Sequence, residues 1–539
     1  MRGLVLPFFL VSLCGLRTSA AQSADAESLF VRGDFAAART AFERRLASNR
    51  SDAPARIRLG LLALWENRLD AAEAHLTAAH TADSANREVR NALAEVRYRQ
   101  RRWAEAAQLN RGLGRGAMAD KLADISAPLV ATIEPARGAR VPFAPGAVLP
   151  VLAAQVNGHA ATLLLDTGAG ETILDTAFAR TIGARRYGVD SAVFAGGRRA
   201  TYEHGSVDSL VVGGARLRGV PVLIQATSQY APAAGGRRVD GIIGTGFLAQ
   251  FRSTIDFGGS ALVLAPRAPT PPSGAVVLPI WLLGDHFITL RAEAAGIPTL
   301  LVFDTGLAMP GGAFVPSEGI VKRSGAQVGS AAVSGIGGGG AVRVTPFQFQ
   351  KLAIGPIERT DVLSLAGAFP AVLERRFGAE IGGLVSHGFF ADRAVTLDFD
   401  AMRMIVEPSS AAPPSRAPAE AGPSANLPAP AVPQALSDDS VVARARAIVT
   451  LLRDKGYDRL SPYWSARLNA QVPPAQVGTT WDGLILAVGA PTEIQTPVLS
   501  SGTTGRQVKV PVKFARATIA VTLTFDGEGR VIGLAMQPT

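Results

Sequence analysis

A chain of 539 residues that is 47% hydrophobic has the length for about three globular cores. Its net charge of +10 is scattered in short pairs (Arg185-Arg186, Arg198-Arg199, Arg237-Arg238) without the interleaved aromatics of a nucleic-acid platform, so the charge reads as solvated surface and nucleic acid is not expected as a partner. The only cysteine, Cys14, falls in the leader described next, which excludes disulfides, a thiol nucleophile and Cys–zinc sites from the remainder.

Residues 1–21 read as a secretory signal peptide: Met1-Arg2, an apolar stretch from Leu4 to Leu16, and Ser19-Ala20-Ala21 for cleavage. The large Leu13 before Cys14 argues against a lipoprotein site. The expected location is therefore periplasmic or extracellular. No later apolar run is long enough to span a bilayer, because the best of them, Val276 to Leu290, is broken by Asp285 and His286. Residues 22–118 carry a repeat of period 34. Phe35, Leu69 and Trp103 share one phase, Ala38, Ala72 and Ala106 another, and Ala26, Gly60 and Ala94 a third. Small residues at fixed phase let paired helices approach closely, and the pattern resembles tetratricopeptide repeats. Two roles stay open: a concave surface for a protein partner, or a packing cap on the rest of the chain.

A connector, 119–144, leads to strands. Leu152–Val156, a turn at Asn157-Gly158 and Ala161–Leu165 run into Asp166-Thr167-Gly168. The pattern recurs: His286–Glu293, a turn near Gly296 and Thr299–Phe303 run into Asp304-Thr305-Gly306. The two acids are 138 residues apart (304 minus 166). Downstream, 241–257 aligns without gaps on 383–399, bringing Ile242-Ile243-Gly244 onto Leu384-Val385-Ser386. An Asp at such a turn also serves elsewhere as a simple cap of nearby amides.

On these residues, 145–408 resembles the aspartic proteases, specifically retropepsin-like relatives fused into one two-lobed chain, with lobes at 145–272 and 273–408. The resemblance implies Asp166 and Asp304 as the catalytic pair. It implies Thr167 and Thr305 as braces between the two loops, with Gly168 and Gly306 exposing backbone donors. It also implies flaps over the substrate. The Gly-rich stretches Val193–Tyr202 and Val333–Val342 are the candidates, with Phe194, Gly196, Gly197, Gly337 and Gly338 at their tips. Ser386 in place of Gly, and Leu307 where Ala169 stands in the first copy, depart from the family pattern and single out the second loop. Two carboxyls held together share one proton, so that one activates a water while the other donates to the peptide carbonyl.

Rival chemistries have little to stand on. The six histidines form no His-Glu-x-x-His, no Gly-x-Ser-x-Gly is present, and Gly335–Gly340 matches a nucleotide-loop spacing without the strand–turn–helix it needs. No metal or cofactor is expected. A Pro/Ala-rich linker at 409–436 precedes a C-terminal unit, 437–539. There, helices at Val441–Leu452 and Tyr457–Leu468 are expected before strands at Val508–Phe514, Thr518–Phe525 and Val531–Met536. Its Phe-Asp-x-x-Gly-x-Val-x-Gly-Leu ending resembles small cone-shaped domains of the nuclear-transport-factor type. The expected architecture is multidomain: an all-α helical repeat, an all-β bilobal pair of acid-protease barrels, and a small α+β domain. The expected activity is an exported aspartic endopeptidase acting on peptides or proteins. A non-catalytic peptide-binding protein on the same scaffold and a repeat-mediated interaction protein are the alternatives.

Overall fold

The structure is a computed structural model that describes residues 26–125, 129–134, 138–145, 147–193, 199–266, 270–307, 312–329, 333–337, 340–409, 437–465, 468–469, 474–502 and 505–538. The leader (1–21), residues 410–436 of the 409–436 linker and Phe194, Gly196, Gly197 and Gly338 of the expected flap tips lie outside the described residues.

The N-terminal region is helical: α1 (26–31), α2 (Phe35–Ser48), α3 (Ala53–Trp65), α4 (Leu69–Ala82), α5 (Arg87–Arg99), α6 (Trp103–Gly112) and α7 (Gly116–Asp124). The 34-residue period has a structural counterpart. Phe35, Leu69 and Trp103 each begin a helix, and Ala38, Ala72 and Ala106 are all fully buried. A Cβ on Gly60 would lie 2.7 Å from Leu76, which is the close approach the small residues permit. Gly33, Asn67 and Arg101, also 34 apart, all take positive φ (75°, 55° and 59°) at the tight turn between the two helices of each pair.

Those three turns dock the array onto the β region. Gly33 offers its carbonyl to Arg291, and a Cβ there would collide with Leu300. Asn67 donates its side-chain amide to Phe399 O at 3.0 Å. Arg101 donates to Leu129 O at 2.8 Å and to Gln250 at 2.6 Å. Phe35 meets Trp281 and Trp65 meets Phe377 edge to face (ring centroids 5.2 and 6.1 Å apart), so the helices and the second β half share one apolar core. Of the two roles left open by the sequence, this face of the array performs the packing one.

The β region divides into two halves. The first comprises β1 (Val130–Ile133), β2 (Ala139–Pro142), β3 (Val151–Val156), β4 (His159–Leu165), β5 (Thr172–Leu174), α8 (Thr176–Thr181), β6 (Arg185–Val193), β7 (Arg199–Val212), β8 (Ala215–Ile224), β9 (Gly241–Ile243), α9 (Thr245–Leu248), β10 (Arg252–Asp256) and β11 (Ala261–Ala265). Eight of these strands form a sheet ordered β1-β8-β5-β9-β4-β3-β7-β6 that closes on itself through β7–β8. The second half comprises β12 (Val276–Leu283), β13 (Phe287–Ala294), β14 (Ile297–Phe303), β15 (Phe314–Pro316), α10 (Glu318–Ser324), β16 (Val333–Gly337), β17 (Gly340–Ile354), β18 (Ile357–Ala366), α11 (Val372–Phe377), β19 (Ile381–Val385), β20 (Arg393–Asp398) and β21 (Arg403–Pro408). Its barrel closes through β13–β17. The stretch the sequence left as a connector contributes α7, β1 and β2.

The two halves join through a shared sheet. β2, β11 and β10 of the first continue into β20, β21 and β12 of the second, with β10 antiparallel to β20 at the centre. In each half a tight hairpin feeds the critical strand. Asn157-Gly158 and Ala295-Gly296 both have two successive positive φ values, the turn that matches strand twist. β4 then lies parallel to β9 and β14 parallel to β19, so each acid leaves the end of a buried central strand. The expected flaps are hairpins, β6–β7 and β16–β17, and Gly337 closes the last pair of the second.

The C-terminal part is α+β. α12 (Asp438–Arg453) and α13 (Pro474–Val488) flank a sheet of β22 (Pro491–Ile494), β23 (Val498–Gly502), β24 (Gly505–Phe514), β25 (Thr518–Phe525) and β26 (Val531–Pro538) around the fully buried Trp481. Pro462 reduces the expected second helix to a 3-10 stretch, Tyr457–Tyr463, because proline removes an amide donor. Helix α13 rests on the β16–β17 hairpin. No helix among the described residues is long and apolar enough to cross a membrane.

Candidate active site

The carboxyls of Asp166 and Asp304 hydrogen-bond one another at the seam between the two halves. Each is half-buried at the end of its strand and fixed the same way. Asp166 N donates to Ile243 O at 3.0 Å, and Asp304 N to Val385 O at 2.9 Å. Gly168 N donates to Asp166 Oδ1 at 2.7 Å, and Gly306 N to Asp304 Oδ1 at 2.9 Å. The glycines are steric necessities. A Cβ on Gly306 would sit 2.3–2.4 Å from the Asp166 carboxyl, and one on Gly168 would sit 2.9 Å from Asp304 Oδ1.

The threonines exchange bonds across the seam. Thr167 N donates to Thr305 Oγ1 and Thr305 N to Thr167 Oγ1, both at 3.0 Å. Each hydroxyl then donates onward to the strand of the other half, Thr167 to Phe303 O at 2.8 Å and Thr305 to Leu165 O at 3.0 Å. Both residues are fully buried, so these bonds are dry and the groups have no alternative partner in water. All six residues of the two Asp-Thr-Gly turns are thus in one place.

Burial raises both carboxyl pKa values. Asp304 is raised furthest, because the neighbouring Asp166 charge adds to burial, whereas Asp166 is partly relieved by the amide of Gly168 and by His286. The two titrate as one unit that retains a proton well above the ordinary carboxylate range.

Ser386 does not displace the second loop. In the first half a Cβ at Gly244 would lie 2.6–2.7 Å from the carbonyls of Ala169, Gly170 and Glu171. In the second half the chain between Asp304 and β15 is longer, and Ser386 uses the room: its hydroxyl donates to Gly312 O at 2.9 Å and accepts from Gly388 N at 3.2 Å. His387 also has a structural place. Thr245, its counterpart at the 142-residue offset, donates to His286 O, and His387 bonds the backbone of Val148, the residue matching His286 at the 138-residue offset of the two acids.

Several groups near the pair escaped the sequence reading. Asp285 and His286 stood out only for breaking an apolar run. Asp285 Oδ1 lies 2.8 Å from His286 Nδ1, and the two sit against Gly170, where a Cβ would be 2.8 Å from Asp285 Oδ2. Burial opposes charge on Asp285, yet His286 and Arg376 hold its carboxyl well below the usual range. Tyr230, in a short 3-10 turn, packs against the apolar cluster that holds Leu164 and Ala169, and its phenol is pushed up to about 12 by burial and by the charge of Asp166. Glu171 receives Tyr98 Oη at 3.0 Å and Lys121 Nζ at 2.5 Å from the helical array. Only the turn-plus-acid signal of Asp-Thr-Gly was local enough to be read without the fold.

Two segments match known protein families. Residues 152–247 match the family described as aspartyl protease, and this segment is an aspartyl protease-like domain; it spans β3 to α9 and includes Asp166 but stops short of Asp304. Residues 445–534, from α12 to β26, match a family described as a protein of unknown function (DUF3887). No curated protein matches the chain.

Proposed function

We propose that this chain is an exported aspartic-type endopeptidase whose active site is completed within one polypeptide. One observation carries the reading: two carboxyls of opposite halves hydrogen-bonded to each other above a reciprocal threonine lock. A turn-capping role alone gives no reason to bury two acids face to face, since like charges raise each other's cost. General acid–base hydrolysis needs that arrangement.

In the resting pair Asp304 holds the proton and Asp166 is ionised. A water between them gives a proton to Asp166 as its oxygen bonds to the peptide carbonyl carbon, while Asp304 donates its proton to the carbonyl oxygen. The tetrahedral diol then collapses. The C–N bond breaks, the nitrogen takes the proton from Asp166, and a diol hydroxyl returns one to Asp304. No covalent intermediate forms. The Gly168 and Gly306 amides and the buried threonines keep both carboxyls in place through the cycle, so little reorganisation is needed in the transition state.

The test is cleavage of an unfolded protein by the purified chain across acidic to neutral pH, with inhibition by statine-type compounds. Both Asp166→Asn and Asp304→Asn are expected to abolish it. Retained peptide binding with no cleavage by the wild type would instead establish a binding scaffold.

A further inference from the structure

The loop carrying Asp166 ends in Glu171, and that side chain leaves the β region. It accepts hydrogen bonds from Tyr98 of α5 at 3.0 Å and from Lys121 of α7 at 2.5 Å, residues 73 and 50 positions away. The Lys121 side chain is 0% exposed and that of Glu171 12%, so this is a desolvated ion pair, not a surface contact. A buried ammonium is tolerated only with a fixed partner. The Glu171 backbone is fixed as well, its carbonyl lying against Gly244, where no side chain fits.

Behind the loop is space. A cavity of about 340 Å³ is lined by Tyr98, Trp103, Glu171, Thr245, Phe247 and Asp285. Close-packed side chains would otherwise hold such a loop by contact alone. Here the backing is open, so position depends on directed bonds.

We propose that Tyr98 and Lys121 are positioning residues of the active site, which hold the Asp166 loop through Glu171 and make the helical array part of the catalytic machinery. This rests on the protease reading above. The loop is three amides long between Asp166 and Gly170, and it meets the second half at the Asp166–Asp304 carboxyl pair, at the threonine lock and at Asp285–His286. Releasing Glu171 frees the end of the loop opposite the lock. The carboxyl of Asp166 then samples positions from which it cannot share a water with Asp304.

Two variants of the full chain test this. Tyr98→Phe removes one donor and leaves the ion pair. Lys121→Met with Glu171→Leu replaces the ion pair by apolar groups of similar size, a change that buried pairs commonly tolerate in folding. The expected result is a kcat lowered by about tenfold in the first and about a hundredfold in the second, with KM within about twofold, because small misplacement of a reacting group is felt in turnover. Amide hydrogen exchange of residues 166–171 is expected to rise in both, with that of the β4 and β14 strands unchanged. Unchanged kcat together with unchanged loop exchange overturns the proposal. The exchange readout stands without catalysis, so a wild type that cleaves nothing would end the protease reading while the loop tether is still decided.

Discussion

Thr254 and Thr396 meet hydroxyl to hydroxyl at 2.7 Å in the middle of the shared sheet, and they are the same position of the internal repeat, 142 residues apart (396 minus 254). A residue can pair with its own equivalent only on a two-fold axis. That axis also relates Thr167 to Thr305 and Asp166 to Asp304. The two halves thus behave as the two subunits of a symmetric dimer joined into one chain. Thr254→Val is expected to lower stability by about 1 kcal/mol, since it leaves one hydroxyl without its partner. The double variant with Thr396→Val should lose less than twice that, as measured by denaturant unfolding.

The threonine lock is more demanding. Thr167→Val removes the acceptor of the Thr305 amide and the donor to Phe303 O, both fully buried. The cost is about 1–3 kcal/mol for each orphaned group. Activity should fall at least about tenfold, because the lock sets where the two loops stand relative to each other. Thr167→Ser keeps the hydroxyl and should restore most of both, read from kcat and melting temperature in the same preparation.

The departures from perfect repetition predict an asymmetric pair of swaps. Gly244→Ser would push a Cβ to within 2.6–2.7 Å of three carbonyls of the Asp166 loop, and should abolish cleavage. Ser386→Gly loses only the bonds to Gly312 and Gly388, and should keep activity while costing about 1–2 kcal/mol in a thermal melt. Equal effects of the two would mean that the longer second loop does not provide the room assigned to it.

The acid pair makes both stability and activity depend on pH. Its folded pKa values lie above those of the unfolded chain. The folded state therefore binds protons more tightly, and the pair's contribution is complete below the ordinary carboxylate pKa of about 4. It is lost as pH rises through the folded values. Cleavage needs one proton on the pair, so it should decline at high pH as the last proton leaves and at low pH as both carboxyls protonate. Asp304→Asn removes the buried second charge. It should be inactive yet melt on the order of a few °C above the wild type at pH 7, with the difference vanishing near pH 3.

The helical array is predicted to unfold with the β region. Trp65 contacts Phe30, Phe35 and Phe377, and Phe35 reaches Trp281, so one aromatic cluster crosses the boundary. Trp65→Ala should cost about 3–5 kcal/mol. Calorimetry should show the transition of the first 409 residues shifting as one, where an independent array would give a separate early peak.

How much of this was legible beforehand follows from the range of each signal. Hydrophobic alternation, the Asn157-Gly158 turn and the Asp-Thr-Gly ends are properties of a few adjacent residues, and they located β3, β4, β13, β14 and both acids. The 34- and 142-residue periods are likewise written along the chain, and they announced the array and the paired halves. Helix α13 was hidden by Pro473-Pro474 and by Gly478 within it. That glycine belongs there because Tyr457 packs where its Cβ would be. The docking of Asn67 on Phe399, the grip of Tyr98 and Lys121 on Glu171, and the room that Ser386 occupies join residues from 50 to 332 positions apart. Sequence spacing carries no information about such meetings. The first two exist because the array lies across both halves and the third because the second loop is longer, and only the folded chain decides which buried group finds which partner.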